Sequence, residues 1–132
     1  MSDLQIADLE TMKLTELYKL AKQYQIQYYG QLKKKELIFA ILRAQAEKSG
    51  FLFMEGVLEV LPDGFGFLRP INYLPSKEDI YISASQIRKF DLRNGDLVSG
   101  KCRLPKDSER YYGLLQVNAV NGESPETAQE RL

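Results

Sequence analysis

The chain has 132 residues, 44% of them hydrophobic, and its 18 basic and 18 acidic groups give a formal net charge of zero. That length accommodates one ordinary domain or two small ones, and this apolar content argues against wholesale disorder. The absence of histidine and the single cysteine, Cys102, exclude a His/Cys metal site, a Ser-His-Asp or Cys-His triad and an internal disulfide.

No apolar run approaches the roughly 20 residues of a membrane span. The opening MSDLQIADLE lacks the basic-then-apolar layout of a secretory signal. A cytoplasmic protein without membrane attachment is expected. Balanced charge counts against bulk electrostatic binding of nucleic acid but is compatible with a short single-strand site built on stacking. The charge is unevenly spread, net +2 over residues 1–48 and net −2 over residues 121–132.

The first third reads as helix. A turn is expected around Ile6–Glu10. Leu14, Leu17, Leu20, Ala21 and Tyr24 recur at three- and four-residue steps and form one apolar stripe. Thr11 or Thr15 is the expected N-cap. Gly30 interrupts the pattern. A second helix places Leu37, Ile41 and Ala44 on one face, with Ile38 and Leu42 beside it, and ends at Ser49-Gly50. Lys33, Lys34 and Lys35 open it, either as a solvated surface or as a phosphate contact.

From residue 51 the pattern changes to short strands. Val57–Val60 is the first, with Gly56 a candidate bulge. Leu61-Pro62-Asp63-Gly64 reads as a turn, Phe65–Arg69 as a strand, Pro70–Lys77 as a loop and Asp79–Ile82 as a strand. One helical turn is expected within Ser83–Phe90, and Asn94-Gly95 signals a turn. Leu97–Arg103 and Tyr111–Val120 complete five strands. The expected class is α+β, with a helical subdomain at residues 1–50, a five-stranded OB-fold barrel at 51–120 and a polar linker or tail at 121–132.

Strand side chains alternate between faces. Phe65, Phe67 and Arg69 therefore share one face, and Asp79 and Tyr81 share one face of the next strand. Charge sets the phase: Arg69 and Asp79 are unsuited to a small barrel interior, so Leu68, Ile80 and Ile82 are assigned to the core. Phe65, Phe67 and Tyr81 then face outward. Exposed aromatics beside an Arg and an Asp suit single-stranded nucleic acid, with rings stacking on bases and polar groups reading an edge. An Asp accepts from the N4 amino group of cytosine, which uracil lacks. Gly64 and Gly66 would let a ligand approach the backbone closely. The competing reading buries Phe65 and Phe67 under the N-terminal helices. Lys106–Tyr112, taken alone, reads as a solvated hairpin loop.

GFGF sits within an aromatic pattern of RNA-binding sheets and resembles the corresponding cold-shock motif. More specific is the ordered set GFGFLRP, EDIYISASQIRKFDLRNGD, SGK and PKDSERYYGLL, preceded by LTELYKLAKQYQI and KKKELIFAILRAQAEKSG. Together these resemble the N-terminal region of the Rho family of bacterial transcription termination factors. The resemblance implies a helical subdomain before a cold-shock-like OB-fold that captures single-stranded, pyrimidine-rich RNA with a preference for cytosine. It implies that Phe65 and Phe67 are the stacking platform and that Arg69 and Asp79 read the cytosine edge. Tyr81, Glu109, Arg110 and Tyr111 would form a neighbouring base pocket, with Leu58 and Lys106 at its rim.

No complete G-x-x-x-x-G-K-[ST] motif is present, because Gly100-Lys101 is followed by Cys102. ATP hydrolysis by this chain, a catalytic residue, a metal and a cofactor are all unexpected. The chain reads as an N-terminal fragment, monomeric by itself, of what the resemblance implies is a homohexameric ATP-dependent RNA helicase. Protein regulators are further candidate partners at the aromatic face. The alternative function is a protein-interaction module using that face or the helical subdomain.

Overall fold

The computed structural model describes residues 3–70 and 78–131, and its contacts divide the chain into two units, Met1–Gly50 and Phe51–Leu132. The first contains α1 (Ile6–Glu10), α2 (Leu14–Gln23), a 3-10 turn at Tyr29–Gln31 and α3 (Lys34–Lys48). Its buried apolar residues are Ile6, Leu9, Leu17, Ala21, Leu37, Ile38, Ile41, Leu42 and Ala46, the three- and four-residue spacing that gives each helix one inward face. Leu14 is exposed, Ala44 is half-buried, and Gly50 closes α3 with φ +85°.

Neither threonine caps α2. The Glu16 carboxylate accepts from the Lys13 N–H at 3.2 Å, and Glu36 does the same for Lys33 ahead of α3 at 2.9 Å. A glutamate at the third helical position reaches back to the chain entering the helix and also suits the positive end of the dipole. Thr11 instead ends α1, its hydroxyl donating to the Asp8 carbonyl.

The second unit is a closed barrel of five strands: β1 (Leu52–Val60), β2 (Gly66–Arg69), β3 (Ile80–Ile82), β4 (Leu97–Arg103) and β5 (Tyr112–Val120). The order around it is β1-β2-β3-β5-β4, with β1 closing on β4 and only the β3–β5 pair parallel. With α4 (Ala84–Lys89) between β3 and β4, this is the OB-fold arrangement. Ser83 caps α4 by accepting from the Gln86 N–H, and Gln86 Nε2 donates to the Leu114 carbonyl on β5. The interior is filled by Leu58, Leu68, Ile80, Ile82, Ile87, Val98, Cys102 and Val117, among others.

β1 is longer than the pattern predicts, because consecutive apolar residues at 51–54 mask the alternation. Leu52, Met54 and Val60 pack against the core and Leu58 belongs to it. Gly56 is not a bulge, since β1 pairs with β4 without interruption from Leu52 to Val57. The register shifts lie instead in the β4–β5 pair, at Ser99/Gly100 and Lys101/Cys102. The loop expected at Pro70–Lys77 falls, from residue 71 onward, outside the described residues.

The segment expected as a linker or tail carries α5 (Pro125–Gln129). Ser124, Pro125 and Ala128 are buried, and both terminal nitrogens of Arg131 donate to the Asp96 carboxylate at 2.8 and 2.7 Å. Burial by itself would raise the Asp96 pKa. The bonds from Arg131, the Arg93 N–H and Asn121 outweigh it and hold that carboxyl below its usual range. Among the described residues, no helix is long and apolar enough to cross a membrane.

Candidate nucleic-acid interface

The β1–β2 hairpin positions the first part of the site. Gly64 takes φ +95° at the turn, and the Leu61 N–H donates to the Phe65 carbonyl at 2.8 Å. Gly66 serves strand packing. A Cβ there would stand 2.6 Å from the Glu59 carbonyl oxygen and 3.0 Å from Leu58 Cδ1, so only glycine lets β2 lie this close to β1.

The ladder between β2 and β3 is regular, with Phe67 opposite Tyr81 and Leu68 opposite Ile80. Leu68, Ile80 and Ile82 face the core. The aromatic side chains therefore lie on the outer face, and they contact one another. The Phe65 ring centroid is 6.0 Å from Phe67 and 5.8 Å from Tyr81, and Phe67 is 6.2 Å from Tyr81 and 4.8 Å from Tyr111. Phe65 and Phe67 are half-buried by this mutual packing, and Tyr81 is 42% exposed.

Arg69 and Asp79 adjoin this face but are not exposed as charge alone predicts. Arg69 is 8% exposed and Asp79 1%. Burial is tolerated because the charges are compensated. Arg69 Nη1 donates to Asp79 Oδ2, while its Nε and Nη2 donate to Glu59 Oε1 at 3.2 and 2.6 Å. The guanidinium also lies 5.1 Å from the Phe67 ring centroid. Desolvation lowers the Arg69 pKa, but the hydrogen bonds and charges of Glu59 and Asp79 outweigh it and hold the pKa above its ordinary value.

The β4–β5 loop supplies the second part. Tyr81, Arg103, Glu109, Arg110, Tyr111, Tyr112 and Gly113 line a cavity of about 270 Å³. Arg103 grips Glu109 through both carboxylate oxygens, at 2.6 and 2.9 Å, and Glu109 Oε1 also accepts from the Lys106 N–H at 2.9 Å. These contacts, the Arg103 bond foremost, push the Glu109 carboxyl down to about 2. The Arg110 guanidinium lies 5.9 Å from the Tyr111 ring centroid. Residues 106–110 stay exposed, as a solvated loop read from the residues alone would, and the Arg103–Glu109 clamp and the Tyr111 ring are what the structure adds.

Phe65, Phe67, Arg69, Asp79, Tyr81 and Tyr111 are brought into one continuous patch, and Glu109 and Arg110 border it. Lys106 is exposed at the start of the loop, and its backbone rather than its ammonium bonds Glu109. Leu58 differs. It is 2% exposed and belongs to the barrel core, so its side chain does not reach the aromatic face. Alternation along β1 turns Leu58 inward and Glu59 outward. Glu59 and Arg103 are the residues that sequence reasoning missed. Glu59 carries a signal, being in phase to lie directly opposite Phe67. Cys102 is buried in the core and its thiol is pushed up to about 12, first by desolvation, which suits packing rather than nucleophilic chemistry.

Comparison with known proteins identifies the family. Residues 54–126 match the family described as Rho termination factor, RNA-binding domain, and residues 8–50 match Rho termination factor, N-terminal domain. Proteins named transcription termination factor Rho are 69% identical in Bacillus subtilis over 100% of this chain, 50% in Thermotoga maritima over 96%, and 44% in Escherichia coli over 96%. The chain spans 31%, 30% and 31% of those relatives, respectively. A closed five-stranded barrel bearing an outward aromatic patch, preceded by a helical unit and matched along its length by these profiles, places the chain in the Rho termination factor family, with that family's RNA-binding domain at residues 54–126.

Proposed function

We propose that this chain captures single-stranded, pyrimidine-rich RNA, with cytosine preferred, as the RNA-loading part of a termination factor. One observation carries the base preference: Arg69 and Asp79 join a donor to an acceptor beside the Phe65–Phe67–Tyr81 cluster. Cytosine offers acceptors next to its N4 amino group, and that pair is complementary to such an edge. Uracil carries a carbonyl in place of the amino group and leaves Asp79 opposing an acceptor. Phe65 and Phe67 stack on bases, and the cavity between Tyr81 and the Glu109–Tyr111 loop takes the adjoining base. Residues 1–50 form a helical subdomain in this reading, and 51–120 the binding domain.

ATP hydrolysis is not assigned to these 132 residues. Gly95 and Gly100-Lys101 have phosphate-loop spacing, but Cys102 replaces Ser or Thr, and Leu97–Arg103 is a barrel strand, not a strand-to-helix loop. A hexameric motor belongs to the whole protein, this chain being monomeric alone, and the proposed setting is the cytoplasm.

The test is fluorescence anisotropy with short labelled oligo(C), oligo(U) and oligo(A) RNAs at one salt concentration. The expected order of affinity is C, then U, then A, with a shallow salt dependence because few phosphates are contacted. Failure of the folded chain to bind any of the three refutes the reading. A second reading, a protein-interaction module, is favoured by a groove of about 470 Å³ on the helical unit, lined in part by Tyr24, Ile26, Leu32, Phe39 and Ala44. It predicts a protein partner whose binding oligo(C) does not displace.

A further inference from the structure

Arg69 is held from both neighbouring strands. Val57 of β1 is its register partner, and Glu59, two residues further along β1, accepts from its Nε and Nη2. Asp79 leads into β3 and accepts from Nη1. A guanidinium has five N–H bonds in a fixed plane. Among the described residues, three are engaged by these carboxylates, which leaves one on each terminal nitrogen. With a single carboxylate the side chain could rotate about its Nε end. Carboxylates on two edges fix the plane and determine which N–H bonds remain available.

Stability alone is a weak reason for the Glu59 contact. The Glu59 side chain is 53% exposed against 9% for Arg69, and half-exposed ion pairs contribute little to folding. Its geometric effect is larger, because it occupies the Nε edge that would otherwise compete for a ligand acceptor. We infer that Glu59 is a positioning residue for base discrimination, holding Arg69 so that its terminal N–H bonds, next to the Asp79 carboxylate, meet the acceptor-and-amino edge of cytosine. This rests on the base-edge reading under Proposed function. Glu59 itself touches no base in this scheme, and its own negative charge makes it a poor phosphate contact.

The test compares the 132-residue chain with Glu59→Met, which keeps side-chain length but removes the acceptor, with Glu59→Ala as a second such variant. Glu59→Gln retains an acceptor oxygen for Arg69. Affinities for oligo(C) and oligo(U) are measured at one salt concentration beside a thermal melt of each protein. The expected result is a fall of about tenfold in the C-to-U affinity ratio for the Met and Ala variants. Their oligo(U) affinity should stay within about threefold of the parent, and Gln should restore most of the ratio. Equal weakening toward both RNAs means a merely structural role and overturns the inference. So does a general gain in affinity with the ratio unchanged, which would mean that Glu59 acts only by repelling phosphate. A parent chain that does not distinguish C from U overturns the base-edge reading itself. A discriminating parent with an undisturbed ratio in both acceptor-free variants overturns the role of Glu59 alone.

Discussion

Replacing Phe67 by alanine separates a binding platform from ordinary core. The ring touches Phe65, Tyr81 and Tyr111 and lies against the Arg69 guanidinium, so its removal has two effects of different size. Aromatic pairs contribute about 0.5–1.5 kcal/mol each beyond area burial. Three partly exposed pairs predict a stability loss of about 1–3 kcal/mol, with the melting temperature falling roughly 5–15 °C for a barrel of this size. A stacked base lost from the platform costs a further ~1–3 kcal/mol of binding, or about 5- to 150-fold in Kd. Leu68→Ala is the control on the same strand. Leu68 is 0% exposed in the core, and its truncation should cost about 2–5 kcal/mol of stability while leaving the affinity of the folded fraction within about twofold. Thermal melts and oligo(C) anisotropy on the same samples, below the transition, read both quantities. A Phe67→Ala protein that melts lower yet binds oligo(C) within twofold of the parent refutes the outward platform.

Asp79→Asn keeps the size and one acceptor oxygen but adds an amide donor, so the preference for C over U should shrink by about tenfold, measured by competition anisotropy. Arg131→Ala removes two hydrogen bonds from buried Asp96 and should cost about 1–3 kcal/mol by denaturant titration. Asp96 has a folded pKa below its ordinary 3.8, so its contribution is present above the unfolded pKa and lost as pH falls through the folded one. Stability in Arg131→Ala should therefore depend less on pH below about 4, and an unchanged acid slope would count against the Asp96–Arg131 lock. Arg103→Ala frees Glu109, whose carboxyl should return from about 2 toward 4.5 in an NMR titration, and oligo(C) binding should weaken as the loop loses its clamp.

Much of this molecule is legible in short-range pattern. The helical spacing of Leu17, Ala21, Leu37 and Ile41 marks inward faces. Alternation in GFGFLR and DIYI separates Leu68, Ile80 and Ile82 from Phe65, Phe67 and Tyr81, because a regular ladder cannot turn adjacent residues to one side. Such rules act over two to four residues, and the sequence determines them without reference to the rest of the chain.

Tertiary structure decided whatever depends on partners far along the chain. Charge placed Arg69 and Asp79 outside the barrel, and alternation carried the aromatics to the same side, but the burial of the two charges arises from pairing across strands, with Glu59 on the other side. The clamp of Arg103 on Glu109 turns a polar loop into a cavity wall. Arg131 binds the segment after β5 to the turn before β4. Residue spacing determines the side on which a charge emerges. Whether it remains in water depends on the desolvation cost balanced against the countercharges that the fold brings within hydrogen-bond distance.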